Sequence, residues 1–191
     1  MPAGEFDPED TELASGFKIR DYKDARRNRK RNIIADAIQL RFKERYLTPI
    51  SGNKRHGFAI MAVSCLMIEA LESFSQGWKT TDGKSKEAFC LFFCHAKQFS
   101  TFRGHAQEFY KHIRCGILHQ AETTGGWRIR RDASPLFDSE NHTINAKKFA
   151  AALERYLEGL CDKLRSSPWD DPLWKNVCKK MDAIAHNCLI I

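Results

Sequence analysis

Arg114 and His119 stand five positions apart in the run Tyr110-Lys111-His112-Ile113-Arg114-Cys115-Gly116-Ile117-Leu118-His119-Gln120. On an ideal α-helix five residues turn through about 500°, so the two side chains project roughly 140° apart. They converge only where the helix ends or loosens. Gly116 within the run and Gly125-Gly126 beyond it predict an end near His119. Such a pair suits RNA chemistry. A histidine titrates near neutrality and can take the proton of a ribose 2′-hydroxyl or give one to a leaving 5′-oxygen. An arginine stays charged and can hold developing negative charge on a phosphate through two N–H groups at once. Neither role requires a metal ion. A surface arginine beside a helix-capping histidine fits the same spacing.

Other residues bear on this pair. Glu69 and Glu72 interrupt the most apolar stretch of the chain. A carboxylate buried there needs a cationic partner, and Arg114 is the natural one for Glu69. Either glutamate also fits a solvent-facing position, Glu72 more readily than Glu69. His112 adjoins the pair as a phosphate contact or an exposed helix residue. Arg128, Arg130 and Arg131 follow it, with Arg128 and Arg130 on one face of a predicted strand, where they suit an RNA backbone or a plain solvated face. Cys115 and His119 have the i, i+4 spacing of a nucleophile and its base, but no oxyanion-hole signature accompanies them. Cys90, Cys94 and His95 lack a second ligand pair at metal-binding spacing and read as thiols packed among phenylalanines. No metal and no cofactor is therefore expected, and the chain has no phosphate-binding glycine loop or serine-hydrolase motif.

Six helices are predicted to position these residues. The first runs from about Asp21 to Thr48-Pro49, with Ile34, Ile38, Phe42 and Tyr46 at four-residue spacing. The second, about 55–76, is apolar on more than one face and should be central. The third spans about 86–99, and the motif helix about 105–120. Trp127-Arg128-Ile129-Arg130 alternates like a half-buried strand, with Leu136-Phe137 and Thr143-Ile144 as partners in a small hairpin or meander. Asn145 caps a fifth helix that ends at Ser166-Ser167-Pro168, and the sixth covers about 172–186. Residues 1–16 read as a disordered acidic arm before a single helical domain at 17–191.

A net charge of +7 and a pI near 9.1 suit a polyanionic partner as well as an ordinary basic surface. Much of the excess lies between Lys18 and Arg31, a stretch suited to unspecific phosphate contacts. Seven cysteines, an odd number, sit mostly in apolar helical patterns behind an acidic N-terminus without the marks of a signal peptide. This predicts free thiols in a reducing, cytoplasmic setting. Polar residues interrupt every apolar run, so no membrane span is expected.

The run from Ile113 to Gln120, an arginine followed after four residues by a histidine near the end of a helix, resembles the defining motif of the HEPN superfamily. The likeness in helical order extends over roughly residues 20–185. It implies a mainly α HEPN-like bundle of about five to six helices, here with a small β-hairpin insert. Many members are metal-independent ribonucleases of toxin–antitoxin, phage-defence or RNA-processing systems, and others are non-catalytic binding or dimerisation modules. Arg114 and His119 then take the two functional positions. The residue after the arginine, often Asn, Asp or His in the family and thought to support the site, is here Cys115. The implied partners are RNA, a second copy of the chain whose histidine completes an acid–base pair, and an antitoxin or defence-system protein. The alternatives are a HEPN-like module that binds RNA, a nucleotide or a protein without catalysis, and a basic helical adaptor working through its first helix.

Overall fold

The structure is a computed structural model, and it describes residues 7–52, 56–132 and 135–189. Residues 1–6 of the expected arm, Arg55 at the expected start of the second helix, and the last two residues of the chain lie outside them. The protein is mainly helical, with eight α-helical segments among the described residues: α1 (Ile19–Arg27), α2 (Arg31–Phe42), α3 (Gly57–Gln76), α4 (Ser85–His95), α5 (Ala106–Phe109), α6 (Cys115–Gln120), α7 (Ala146–Ser166) and α8 (Pro172–Leu189). Two of the six predicted helices account for the difference. The first is split, because Arg29 takes a left-handed conformation (φ 52°) and Asn28 and Lys30 both turn back onto the Asp24 side chain. The motif helix is interrupted by a π turn at Tyr110–Arg114 that joins α5 to α6.

The 20-residue α3 is the axis of the fold and packs against α4, α7 and α8. Ile60, Met61, Cys65, Met67, Ile68, Leu71 and Phe74 bury most of its circumference, as expected of a central helix. By length and composition α3 could cross a membrane, against the reading that no segment is apolar enough, but here most of it is enclosed by the other helices. Asn145 caps α7, its side chain accepting from the Lys148 amide, and the helix stops before Ser167-Pro168.

An aromatic cluster seats the motif helix. Phe93 stacks on Phe102 (5.0 Å between centroids), Phe102 on Phe137 (4.4 Å), Phe137 on Trp127 (5.3 Å) and Phe109 on Phe149 (5.5 Å). Phe109 ends α5, while Trp127 and Phe137 belong to the β insert, so the same rings fix both. The insert combines the expected hairpin with a parallel pairing and is not a meander. β3 (Arg128–Arg130) pairs in parallel with β5 (Thr143–Asn145), and β4 (Phe137–Asp138) pairs antiparallel on the other side of β5, giving the order β3-β5-β4. All three residues of β5 are buried, so the most buried strand takes the centre.

Residues 7–16 are not a disordered arm. Pro8–Asp10 form a 3-10 turn, and β1 (Glu12–Ala14) pairs antiparallel with β2 (Phe17–Lys18). Leu13 and Ala14 are buried, and Arg41 donates to the Leu13 carbonyl at 2.6 Å. The acidic residues face the basic ones that follow: Asp10 pairs with Lys18, Asp7 and Asp10 with Arg20, and Glu9 with Lys23. Arg26 is paired with Asp182 and Lys30 with Asp24, while Arg31 donates to the Ser167 carbonyl. The basic stretch is thus largely occupied within the molecule. Each exposed ion pair contributes roughly 0–1 kcal/mol, so the buried side chain of Leu13 is the main anchor. Leu13→Ala should cost about 2–5 kcal/mol in urea denaturation, the usual range for a buried leucine. A loss below about 0.5 kcal/mol, typical of surface positions, would mean that the strand is not docked.

Candidate active site

Three elements converge on Arg114. It ends the π turn, where the wider ring of the i to i+5 hydrogen bond changes the angular step of the helix; the Cys115 amide closes that turn on the Tyr110 carbonyl. From there Arg114 donates through Nε to Glu69 Oε1 on α3 at 2.9 Å, and through Nη2 to Ser85 Oγ at the first turn of α4 at 3.5 Å. Ser85 in turn donates to Glu69 Oε2 at 2.9 Å, so both carboxylate oxygens are used. The Arg114 and Glu69 side chains are only 16% and 10% exposed. Burial opposes the arginine's charge, but the hydrogen bond and charge of Glu69 outweigh it and leave its pKa raised.

His119 lies on the solvent side, exposed, with Nε2 3.3 Å from Arg114 Nη1. The two side chains meet although an ideal helix would splay them, because α6 ends at Gln120 and Ala121 takes a left-handed turn (φ 55°). The early end foreseen from Gly116 is present, and Gly116 has a further role. A Cβ there would lie 2.6 Å from the Glu122 carbonyl, so only glycine lets the loop after α6 fold back onto the helix. A guanidinium has donors only, so His119 Nε2 must accept. Three of the five arginine N–H donors are engaged in the Glu69, Ser85 and His119 contacts. Tyr110 sits beneath, with the guanidinium carbon 5.7 Å from its ring centroid. Cys115 is half-buried; burial first, and next the neighbouring Cys115 thiol, raise the pKa of Tyr110.

The other expected contacts fare differently. His112 is not an open phosphate ligand: its ring Nδ1 is 2.8 Å from Thr124 Oγ1, and the ring packs on Gly125, whose positive φ and lack of a side chain leave room for it. Arg128 and Arg130 are exposed on the edge strand β3, and Arg130 is paired with Asp132. Arg131 is half-buried, its side-chain carbons against Gly57 at the start of α3, and does not share the open face of the other two.

Sequence reasoning missed two features. Ser85 carries no pattern of its own and joins the site only because α4 starts beside α3. Glu72, read as more exposed than Glu69, is fully buried; its Oε1 is 3.1 Å from His95 Nε2, which also lies 3.0 Å from the Tyr156 hydroxyl. The signal was present: His95, set aside with Cys90 and Cys94, sits on the neighbouring helix as an imidazole in an otherwise apolar pattern. No protein-family model, curated protein or solved structure matches the chain.

The two glutamates should separate in experiment. Glu72→Ala takes the carboxylate from beside His95 and the acceptor from Gln76, whose Nε2 donates to Glu72 Oε2 at 3.4 Å, and should lower stability by about 0.5–1.5 kcal/mol, the net range for a hydrogen bond, as read from urea denaturation. A change within about 0.5 kcal/mol would place it among surface substitutions. Glu69→Gln keeps the shape beside Arg114 and should affect the site more than the fold. His112 gives a pH test. Burial, and next the charge of Lys111, hold its pKa below the usual value. Its contribution is therefore present above the unfolded value of about 6.5 and is lost as the pH falls. An NMR titration should return a pKa below about 6.5, with a lower exchange-protection factor for the Thr124 amide, bonded to the His112 carbonyl at 3.1 Å, on acidification. A normal or raised value would mean that the ring does not pack under the loop.

Proposed function

We propose that the protein is a metal-independent endoribonuclease of HEPN type that cuts RNA by attack of the 2′-hydroxyl. The observation that carries this reading is the Arg114 Nη1–His119 Nε2 contact at 3.3 Å, held in place by the nearly buried Glu69. The scissile phosphate draws the arginine N–H groups to its oxygens, which frees the His119 Nε2 lone pair. That lone pair takes the 2′-hydroxyl proton, the 2′-oxygen attacks phosphorus, and the 5′-oxygen leaves as an alcohol after protonation. Arg114 stabilises the charge that builds on the phosphate, and Glu69 and Ser85 hold the guanidinium in position. Arg128 and Arg130 extend the positive surface on β3.

A single histidine serves one proton transfer well and two poorly, so the reading includes a homodimer in which two Arg114–His119 pairs face one another. Exposed apolar side chains support it: Phe58 and Leu66 lie two turns apart on α3, and Leu118 adjoins His119. Free cysteines throughout fit a reducing cytoplasm, and a toxin or phage-defence setting comes from the family likeness. The second reading, a HEPN-like module that binds RNA, a nucleotide or a protein without cutting, is favoured by Cys115 at the family's polar position.

The test is cleavage of single-stranded RNA by the full chain in excess EDTA. The wild type should cut, leaving a 2′,3′-cyclic phosphate and a 5′-hydroxyl, and His119→Ala and Arg114→Ala should each lose about 100-fold or more, the scale of acid–base and electrostatic contributions. One 2′-deoxy substitution should protect its own bond. Cutting that stops with EDTA, or survives both substitutions, overturns the mechanism. RNA bound equally by all three proteins and cut by none selects the module.

A further inference from the structure

At the opposite end of the motif helix from His119, three donor side chains meet. His105 precedes α5, Glu108 lies one turn along it, and His142 stands in the turn between β4 and β5. One ligand atom from each lies within 4.8 Å of the other two, and His105 Nδ1 is 3.1 Å from Glu108 Oε2. Donors bound at 2.0–2.2 Å around a tetrahedral zinc ion stand about 3.3 Å apart. Small side-chain adjustments would bring this set to that spacing.

Two features suggest that the arrangement is built rather than accidental. His142 adopts a left-handed backbone (φ 46°), a conformation uncommon for residues with a Cβ. This holds its ring beside Trp127, 5.3 Å between centroids. His105 packs edge-on against Phe137 at 5.2 Å. Both imidazoles are thus set by the aromatic cluster. Two imidazoles and one carboxylate are a borderline donor set that suits zinc and similar divalent ions and leaves a coordination position for water.

We propose that His105, Glu108 and His142 form a binding site for a zinc-like divalent ion. The ion joins the β4–β5 turn to the start of the motif helix and so clasps the insert onto it. Its role is structural. Along the helix, Glu108 and His105 lie roughly 9–13 Å before Arg114 at 1.5 Å per residue. The site goes beyond the ribonuclease reading and does not depend on it.

The experiment uses the full chain after chelator treatment, titrated with Co²⁺ and Zn²⁺. One Co²⁺ per chain should bind with visible absorption of nitrogen–oxygen coordination and without thiolate-to-cobalt charge transfer, and Zn²⁺ should displace it and raise the melting temperature. His142→Asn removes the imidazole but tolerates the left-handed backbone. It and His105→Gln should each weaken binding by more than the roughly 10–100-fold expected from losing a mere outer-shell partner. Cys94→Ser should bind as the wild type does. No Co²⁺ binding, binding unchanged in both histidine variants, or binding lost in Cys94→Ser would overturn the site. RNA cutting in EDTA reports separately: a wild-type protein that cuts there but binds no ion retains the ribonuclease reading and loses the metal site, and the reverse pattern does the opposite.

Discussion

The structure depends on how one apolar helix accommodates two acidic residues. α3 is buried along most of its length, yet it carries Glu69 and Glu72. A carboxylate cannot be left there alone, since its desolvation would cost several kcal/mol. Three positions along a helix turn through about 300°, so the two acids open onto different neighbours. Glu69 reaches Arg114 and Ser85; Glu72 reaches His95 beside Tyr156. Turning or sliding α3 by one residue would break both sets at once. The two polar contacts therefore fix the register of the central helix against α4 and the motif helix, and the arginine is aimed as a result.

Much of this was legible in the sequence. The central helix, the Asn145 cap, the end at Ser167-Pro168 and the early stop after His119 follow from periodicity and capping residues, whose physics is local. Glu69 could be paired with Arg114 because a buried acid needs a cationic partner and the motif arginine was a candidate for it. What escaped was mostly non-local. The depth of Glu72 depends on α4 and α7 closing over it, and Ser85 enters the site only through the angle at which α4 leaves its loop. The parallel pairing of β3 with β5 joins strands about a dozen residues apart, a connection that alternation along one strand does not reveal.

The N-terminal residues went wrong for a more instructive reason. Composition alone made 1–16 an acidic, disordered arm and 18–31 a free basic stretch. Each reading was right about its own charges and neglected the other's. Brought together, the acids of the Pro8–Asp10 turn and its Asp7 cap largely neutralise the bases of β2 and α1, and the apolar Leu13 is carried into the core beneath them. Net charge is a property of the whole chain, but the field felt by a partner is set by what remains unpaired after folding.

The order of synthesis adds a consequence for α3. It is complete once residue 76 has been made, but two of its main covers, α7 and α8, begin at residues 146 and 172. A nascent chain thus carries a helix that is apolar and long enough to cross a membrane for some 70 residues before α7 even starts. Until those last two helices arrive, Glu69 and Glu72 are the chief polar groups on it, and they make its insertion into lipid costly. The same two acids that later set the register of the finished fold therefore guard the unfinished one, keeping its greasiest segment in water until the C-terminal helices can enclose it.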